Sequence, residues 1–210
     1  MRERRGFTLI ELMLVIVIIG LLMAFLIPRG LDVLRAGETT ACKANLLKIY
    51  EGYNLHKLQK GRLPSRSGVK NFLSVWDVWE HTESNAKRLS CPAVDPGALP
   101  GLIADDGRIR PAEEWFSDID ACDGSFTAYA GRDVKAYPMK SLLGTEPLVA
   151  DDNEGGLNHP NGVTLVLMGD GSVKELDLGE LRGREIPEDA TNLEVGPDSP
   201  IELLKKLSRD

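Results

Sequence analysis

Residues 7–27 form an almost unbroken apolar run, FTLIELMLVIVIIGLLMAFLI, in which Thr8 and Glu11 are the strongly polar positions. Apolar side chains occupy every side of the helix such a run would form. That pattern suits lipid or a fully apolar interior. At ~1.5 Å rise per residue the run spans roughly 30 Å, the hydrocarbon thickness of a bilayer. Beyond it the pattern changes. Cys42, Leu46, Ile49, Tyr50 and Tyr53 recur at helical spacing with Lys43, Lys48, Glu51 and Asn54 between them, which predicts an amphipathic continuation over 28–60. Pro28 sits at the junction and predicts a kink. Gly61 and Pro64 end the pattern.

Phe72, Val75, Trp76 and Trp79 predict a second, short helix whose aromatic stripe belongs to a core. Residues 91–111 are rich in Pro, Gly and Asp and read as loop. Strand candidates come late: 126–130, 148–150, and the β-branched run Val163–Met168 followed by Gly169-Asp170-Gly171 and the alternating 173–178, a hairpin whose apolar face can cover the helical stripe. Residues 183–197 are acidic, with Gly and Pro, and predict a flexible linker. Ser199-Pro200-Ile201-Glu202 predicts a capped final helix through Leu207. The expected fold class is α+β, a long N-terminal helix packed on a small antiparallel sheet. Its parts are residues 1–6, the membrane segment 7–27, the amphipathic half 28–60, a globular body 61–182, and a linker with short helix 183–210.

Charge refines this picture. The chain of 210 residues carries a net charge of −7, which disfavours a phosphate-neutralising surface, and no nucleic-acid partner is expected. Arg2, Arg4 and Arg5 precede the apolar run, which predicts a cytoplasmic N-terminus and a body on the far side. A secretory signal would have a shorter core and small residues at its end, whereas Ile27-Pro28-Arg29-Gly30 follows here. Glu11 is the anomaly. A carboxylate within the membrane is costly unless it finds a partner. Cleavage between Gly6 and Phe7 would create an α-amine on Phe7, which on a neighbouring copy could pair with Glu11.

The stretch Gly6-Phe7-Thr8-Leu9-Ile10-Glu11-Leu12 resembles the signal sequence of type IV pilins and type II secretion pseudopilins. The resemblance implies cutting after Gly6 by a prepilin peptidase, N-methylation of Phe7, assembly guided by Glu11, and a helix kink at Pro28. It implies a structural subunit of a secretion pseudopilus or a type IV pilus. Its partners would be other pilin or pseudopilin subunits and an inner-membrane platform driven by a cytoplasmic ATPase. The protein would sit single-pass in the inner membrane with a periplasmic body, then in a filament. The competing reading is a membrane-anchored extracytoplasmic enzyme or receptor that never assembles.

A second resemblance is to pseudopilin-like proteins abundant in planctomycete-type bacteria. It rests on Cys42-Lys-Ala-Asn-Leu, on Cys91-Pro92, and on His159 followed by Asp170-Gly171, with ten residues between where that group has nine. His159, Asp170 and Gly171 are candidates for a structural turn. Asp151, Asp152, Asn153 and Glu154 form an oxygen-rich loop that, with Asp170, is a weak calcium candidate. Otherwise no cofactor is expected. Cys42, Cys91 and Cys122 allow one disulfide outside the cytoplasm, in any of three pairings. No nucleophile, phosphate-loop or zinc-protease motif is present, and no enzymatic activity is expected.

Overall fold

A computed structural model describes residues 7–153 and 156–210. Gly6, the rest of the segment 1–6, and Glu154 lie outside the described residues. The chain divides into two units, one ending at Gly37 and one comprising Glu38–Asp210.

Helix α1 is assigned continuously over Leu9–Lys60, across position 28. In the first unit its apolar side chains are exposed on every side, from Leu9 through Met23. Among the residues whose side chains are described, no helix is long and apolar enough to cross a membrane. The fully described stretch stops at residue 24, short of the complete run 7–27 that the sequence offers.

In the second unit one stripe of α1 disappears from solvent. Cys42, Leu46, Ile49 and Tyr53 are fully buried, spaced so that all face the same way. They pack on one face of a five-stranded antiparallel sheet. Its strands are β1 (Tyr129–Arg132), β2 (Pro147–Asp151), β3 (Val163–Met168), β4 (Val173–Asp177) and β5 (Leu207–Ser208), in the order β4-β3-β2-β1-β5. Strand alternation sorts the side chains. Tyr129, Val149, Leu165 and Leu167 face the helix stripe, while Ala130, Ala150, Val166 and Met168 face the other way. A register shift between Pro147 and Val149 lets Leu148 join the helix side as well.

The short helix α2 (Val69–Leu73) runs into a 3-10 turn over Ser74–Val78, and its aromatics close the helix-side core as expected. Phe72 meets Tyr129 edge-on at 6.1 Å, and Trp76 meets Phe116 at 5.9 Å. Helix α3 (Glu83–Lys87) is capped by Thr82 and delivers the chain to Cys91.

Three expectations need correcting. Residues 183–197 contain little regular structure, yet Ile186 and Leu193 are buried beneath the sheet with Leu178, Ile201, Leu204 and Leu207. Composition reported polarity there, and two well-spaced apolar side chains were enough to seat the segment. The final helix is short, Glu202–Lys205, with Ile201 rather than Ser199 at its N-cap and no side-chain cap bond, and the chain then adds β5 beside β1. In β4, Leu176 packs with the far-side cluster, whereas Glu175 points toward α1 and pairs with Lys43 at 2.7 Å. The hairpin thus covers the helix mainly through β3. Its turn does use positive φ: Gly171 has φ 84°, and a Cβ there would stand 2.7 Å from the Tyr50 ring.

Two ion pairs on one carboxylate tie three strands. Arg132 at the end of β1 is almost wholly buried and meets Glu146 at 2.6 Å, and Lys206, just before β5, reaches the same carboxylate at 3.1 Å. Burial alone would raise the Glu146 pKa, but hydrogen bonds from Lys206 and Arg132 outweigh it and hold the pKa below the usual range. A depressed carboxylate stabilises the fold above its unfolded pKa, near 4.3, and that contribution is lost as pH falls through the folded value. Glu146→Ala leaves Arg132 buried without its partner. It is expected to cost about 2–4 kcal/mol at neutral pH, somewhat less than for a fully buried pair because Glu146 keeps some water contact. Melting curves at pH 7 and pH 3 check this: the wild-type advantage should shrink at the lower pH.

Candidate functional site

Two places in the molecule concentrate chemistry. The first is the start of α1. Thr8 carries its N-cap: the Thr8 carbonyl accepts from the Leu12 N–H, and the Thr8 hydroxyl accepts from the Glu11 N–H at 3.3 Å. Glu11 answers through Oε2, which accepts the Thr8 N–H and the Thr8 hydroxyl, each at 2.8 Å. This is the reciprocal Thr-x-x-Glu capping box. The carboxylate that looked orphaned in the sequence therefore has a partner within its own helix. The Thr-x-x-Glu pattern is legible in the sequence at Thr8 and Glu11.

The second place is buried where α1, the sheet and two loops meet. Cys42 on α1, Cys91 after α3, Asp151 at the end of β2 and His159 in the β2–β3 loop each offer one ligand-type atom, and these atoms lie within 4.8 Å of one another. All four residues are buried. Each is fixed by its own local chemistry. The Cys91 segment is tied down by the Thr127 hydroxyl donating to the Leu89 carbonyl at 2.6 Å and by the Ala128 N–H donating to Ser90 Oγ at 3.1 Å. His159-Pro160-Asn161-Gly162 is a β-turn, closed by the Gly162 N–H on the His159 carbonyl, with Pro at the second position and Gly162 at φ 86°. Asn153 sits in the left-handed region at φ 53°, which Asn tolerates, and its side chain holds the loop through Thr164, Leu193 and the Asn158 N–H.

Distances within the group are short. Cys91 Sγ lies 3.5 Å from His159 Nε2, His159 Nε2 lies 3.5 Å from Asp151 Oδ2, and Cys42 Sγ lies 3.6 Å from Asp151 Oδ1. The Tyr129 hydroxyl lies 3.0 Å from Cys42 Sγ. Asp151 also accepts the Leu165 N–H at 2.7 Å and the Asn158 amide at 3.4 Å. The other ring nitrogen of His159, Nδ1, faces the Thr39 hydroxyl at 3.5 Å.

Protonation follows from this crowding. Hydrogen bonding to Cys91, and then burial, hold the proton on Cys42. The same bond from Cys42 acts against burial on Cys91 and, with His159 assisting, lowers that thiol to about 7. Burial would lower His159, but its bonds to Asp151 and Cys91 prevail and raise it to about 10. A thiol, an imidazole and a carboxylate are the parts of a nucleophilic triad, but the wiring differs. A triad acid grips the nitrogen opposite the nucleophile. Here Cys91 and Asp151 share Nε2.

The sequence-predicted residues separate. Asp151 and His159 join the cluster. Asp152 turns to Arg209 at 3.5 Å. Asp170 lies beyond the other end of β3, on an exposed turn, where it accepts from the Ser172 N–H and hydroxyl at 2.9 and 2.6 Å. Among the described residues of the oxygen-rich loop, Asp151 and Asp152 therefore do not converge with Asp170. His159 serves the cluster as well as a turn. Of the three cysteines, Cys42 and Cys91 come together, while Cys122 donates to the Asp118 carbonyl elsewhere.

A long N-terminal helix laid on a small antiparallel sheet, with an apolar exposed beginning, is consistent with a pilin-like fold. The model of the prokaryotic N-terminal methylation motif matches residues 1–27. The chain is similar to type II secretion system core protein G of Pectobacterium carotovorum, 29% identical over 55% of this chain and 65% of that protein. It is similar to the same-named protein of Klebsiella pneumoniae, 28% identical over 56% of this chain and 74% of the relative, and of Dickeya chrysanthemi, 24% identical over 77% and 94%. The chain thus spans just under two thirds of the Pectobacterium relative. No solved structure matches it. The chain is thus similar to type II secretion pseudopilins.

Thr8→Ala removes two of the three capping-box bonds and is expected to cost about 1 kcal/mol at the helix start, with Thr8→Ser close to wild type. Hydrogen exchange of the amides of residues 9–12 in detergent micelles checks this.

Proposed function

We propose that this chain is a pilin-like structural subunit, a pseudopilin of a type II secretion system or a subunit of a type IV pilus. A prepilin peptidase cuts between Gly6 and Phe7 and the new amine of Phe7 is methylated. The subunit waits as a single-pass protein with its N-terminus in the cytoplasm and its body outside. An inner-membrane platform, driven by a cytoplasmic ATPase, then adds it to other subunits through α1.

The observation that carries this reading is the start of α1: a helix with apolar side chains exposed on all sides and one carboxylate, Glu11, a single turn from Phe7. Such a helix is stable in lipid or among copies of itself. Glu11 is costly in either setting unless a cation comes close, and the methylated amine of a neighbouring Phe7 supplies one. The methylation motif and the pseudopilin relatives support the same reading.

Capping and charge pairing make different demands on residue 11. Gln can replace Glu in a capping box but carries no charge. Glu11→Gln and Glu11→Ala should both be cleaved and methylated, and both should be missing from the sheared filament fraction. Mass spectrometry of the N-terminal peptide should find methylated Phe7 in all three forms. Normal assembly of Glu11→Gln would show that only the cap matters and would remove the charge-pairing mechanism. An intact Met1 in cells with active peptidase would remove the processing step.

A further inference from the structure

We infer that Cys42, Cys91, Asp151 and His159 form a binding site for one tetrahedral, borderline-soft divalent cation, zinc above all. The donor set is one that zinc favours: two thiolates, one imidazole and one carboxylate. Its geometry fits with the adjustment of one carboxylate. Zinc bonds of ~2.3 Å to sulfur and ~2.0–2.2 Å to nitrogen and oxygen, at tetrahedral angles, put sulfur about 3.5–3.6 Å from nitrogen or oxygen, and nitrogen about 3.4 Å from oxygen. The corresponding distances are 3.5 Å for Cys91 to His159, 3.6 Å for Cys42 to Asp151, and 3.5 Å for His159 to Asp151. Asp151 faces Cys42 with one oxygen and His159 with the other, so a small rotation of its carboxylate brings a single oxygen into the tetrahedron.

The surroundings are those of a metal site. His159 directs Nε2 inward and turns Nδ1 to the Thr39 hydroxyl, which fixes the ring as outer partners of histidine ligands do. Asp151 is oriented by the Leu165 N–H and the Asn158 amide, and Tyr129 meets the Cys42 sulfur. The shared use of Nε2 by thiol and acid, which breaks a triad, is what two ligands converging on one ion produce. The four donors come from four separate segments, so no short spacing announces the site. All are buried, and four protein ligands fill a tetrahedron, so the site is structural. Calcium is excluded by the sulfur donors, because it takes six to eight oxygens. The ion would bind as two thiols release their protons, changing no oxidation state.

The test uses the full chain in detergent, reduced and stripped of metal under anaerobic conditions, with cobalt(II) and then zinc as probes. One equivalent of cobalt should produce the intense visible band of tetrahedral coordination and a near-ultraviolet sulfur-to-metal band, and one equivalent of zinc should abolish both. Cys91→Ser and His159→Gln should lose the signal, whereas Cys122→Ser and Asp170→Asn should keep it. Tyr129→Phe, which touches no metal, should keep the spectrum and weaken zinc binding by about 10–100-fold. Folded wild-type protein, verified by circular dichroism, that gives no tetrahedral spectrum overturns the inference. A signal that follows Cys122 overturns it too, as does a metal-free Cys42–Cys91 disulfide in protein isolated from its own compartment. These readouts are independent of filament assembly, so the outcome leaves the proposed function separately testable.

Discussion

The body of this protein is organised by one constraint: the stripe Cys42, Leu46, Ile49 and Tyr53 on α1 must leave water. An isolated amphipathic helix gains nothing from such a stripe. Burying each large apolar side chain is worth about 1.5–3 kcal/mol, and the sheet face of Tyr129, Val149, Leu165 and Leu167 is what collects it. The sheet then has an exposed back. Its second row of Ala130, Ala150, Val166 and Met168 obliges the chain to return, which it does with Ile186, Leu193, Ile201, Leu204 and Leu207. Helix, sheet and C-terminal layer thus follow in sequence from a single hydrophobic face.

Much of this was legible beforehand because it is periodic. The stripe on α1, the aromatic row at Phe72–Trp79 and the strand Val163–Met168 each announce themselves by spacing, and each lies where spacing put it. What escaped is what lacks a period. Ile186 and Leu193 are isolated apolar residues in an acidic stretch, and β5 is two residues long, formed only because the edge of β1 is nearby. β4 alternates faithfully, but alternation does not say which face meets which layer, and Glu175 rather than Leu176 turned out to look toward α1.

The buried cluster shows the same limit more sharply. Cys42, Cys91, Asp151 and His159 were each noticed for a separate reason: a helix position, a Cys-Pro pair, an acidic loop, a turn. Their meeting depends on strand order and on the path of the β2–β3 loop, neither of which is encoded in local spacing. The signals that could have joined them are modest. Asn153 in a left-handed conformation and the Pro160–Gly162 turn aim His159 inward, and both are residue choices visible in the chain.

The capping box at Thr8 has a bearing on timing. Before any other chain approaches, Glu11 already accepts two hydrogen bonds from Thr8, which meets part of the carboxylate's demand. A carboxylate has room for about four hydrogen bonds, and Thr8 engages one oxygen only. Among the described residues the second oxygen has no partner, as a latch left open. Under the proposed assembly, a neighbour's cation would add a bond without breaking one, so the cap eases the waiting state and leaves the charge pairing still to be gained.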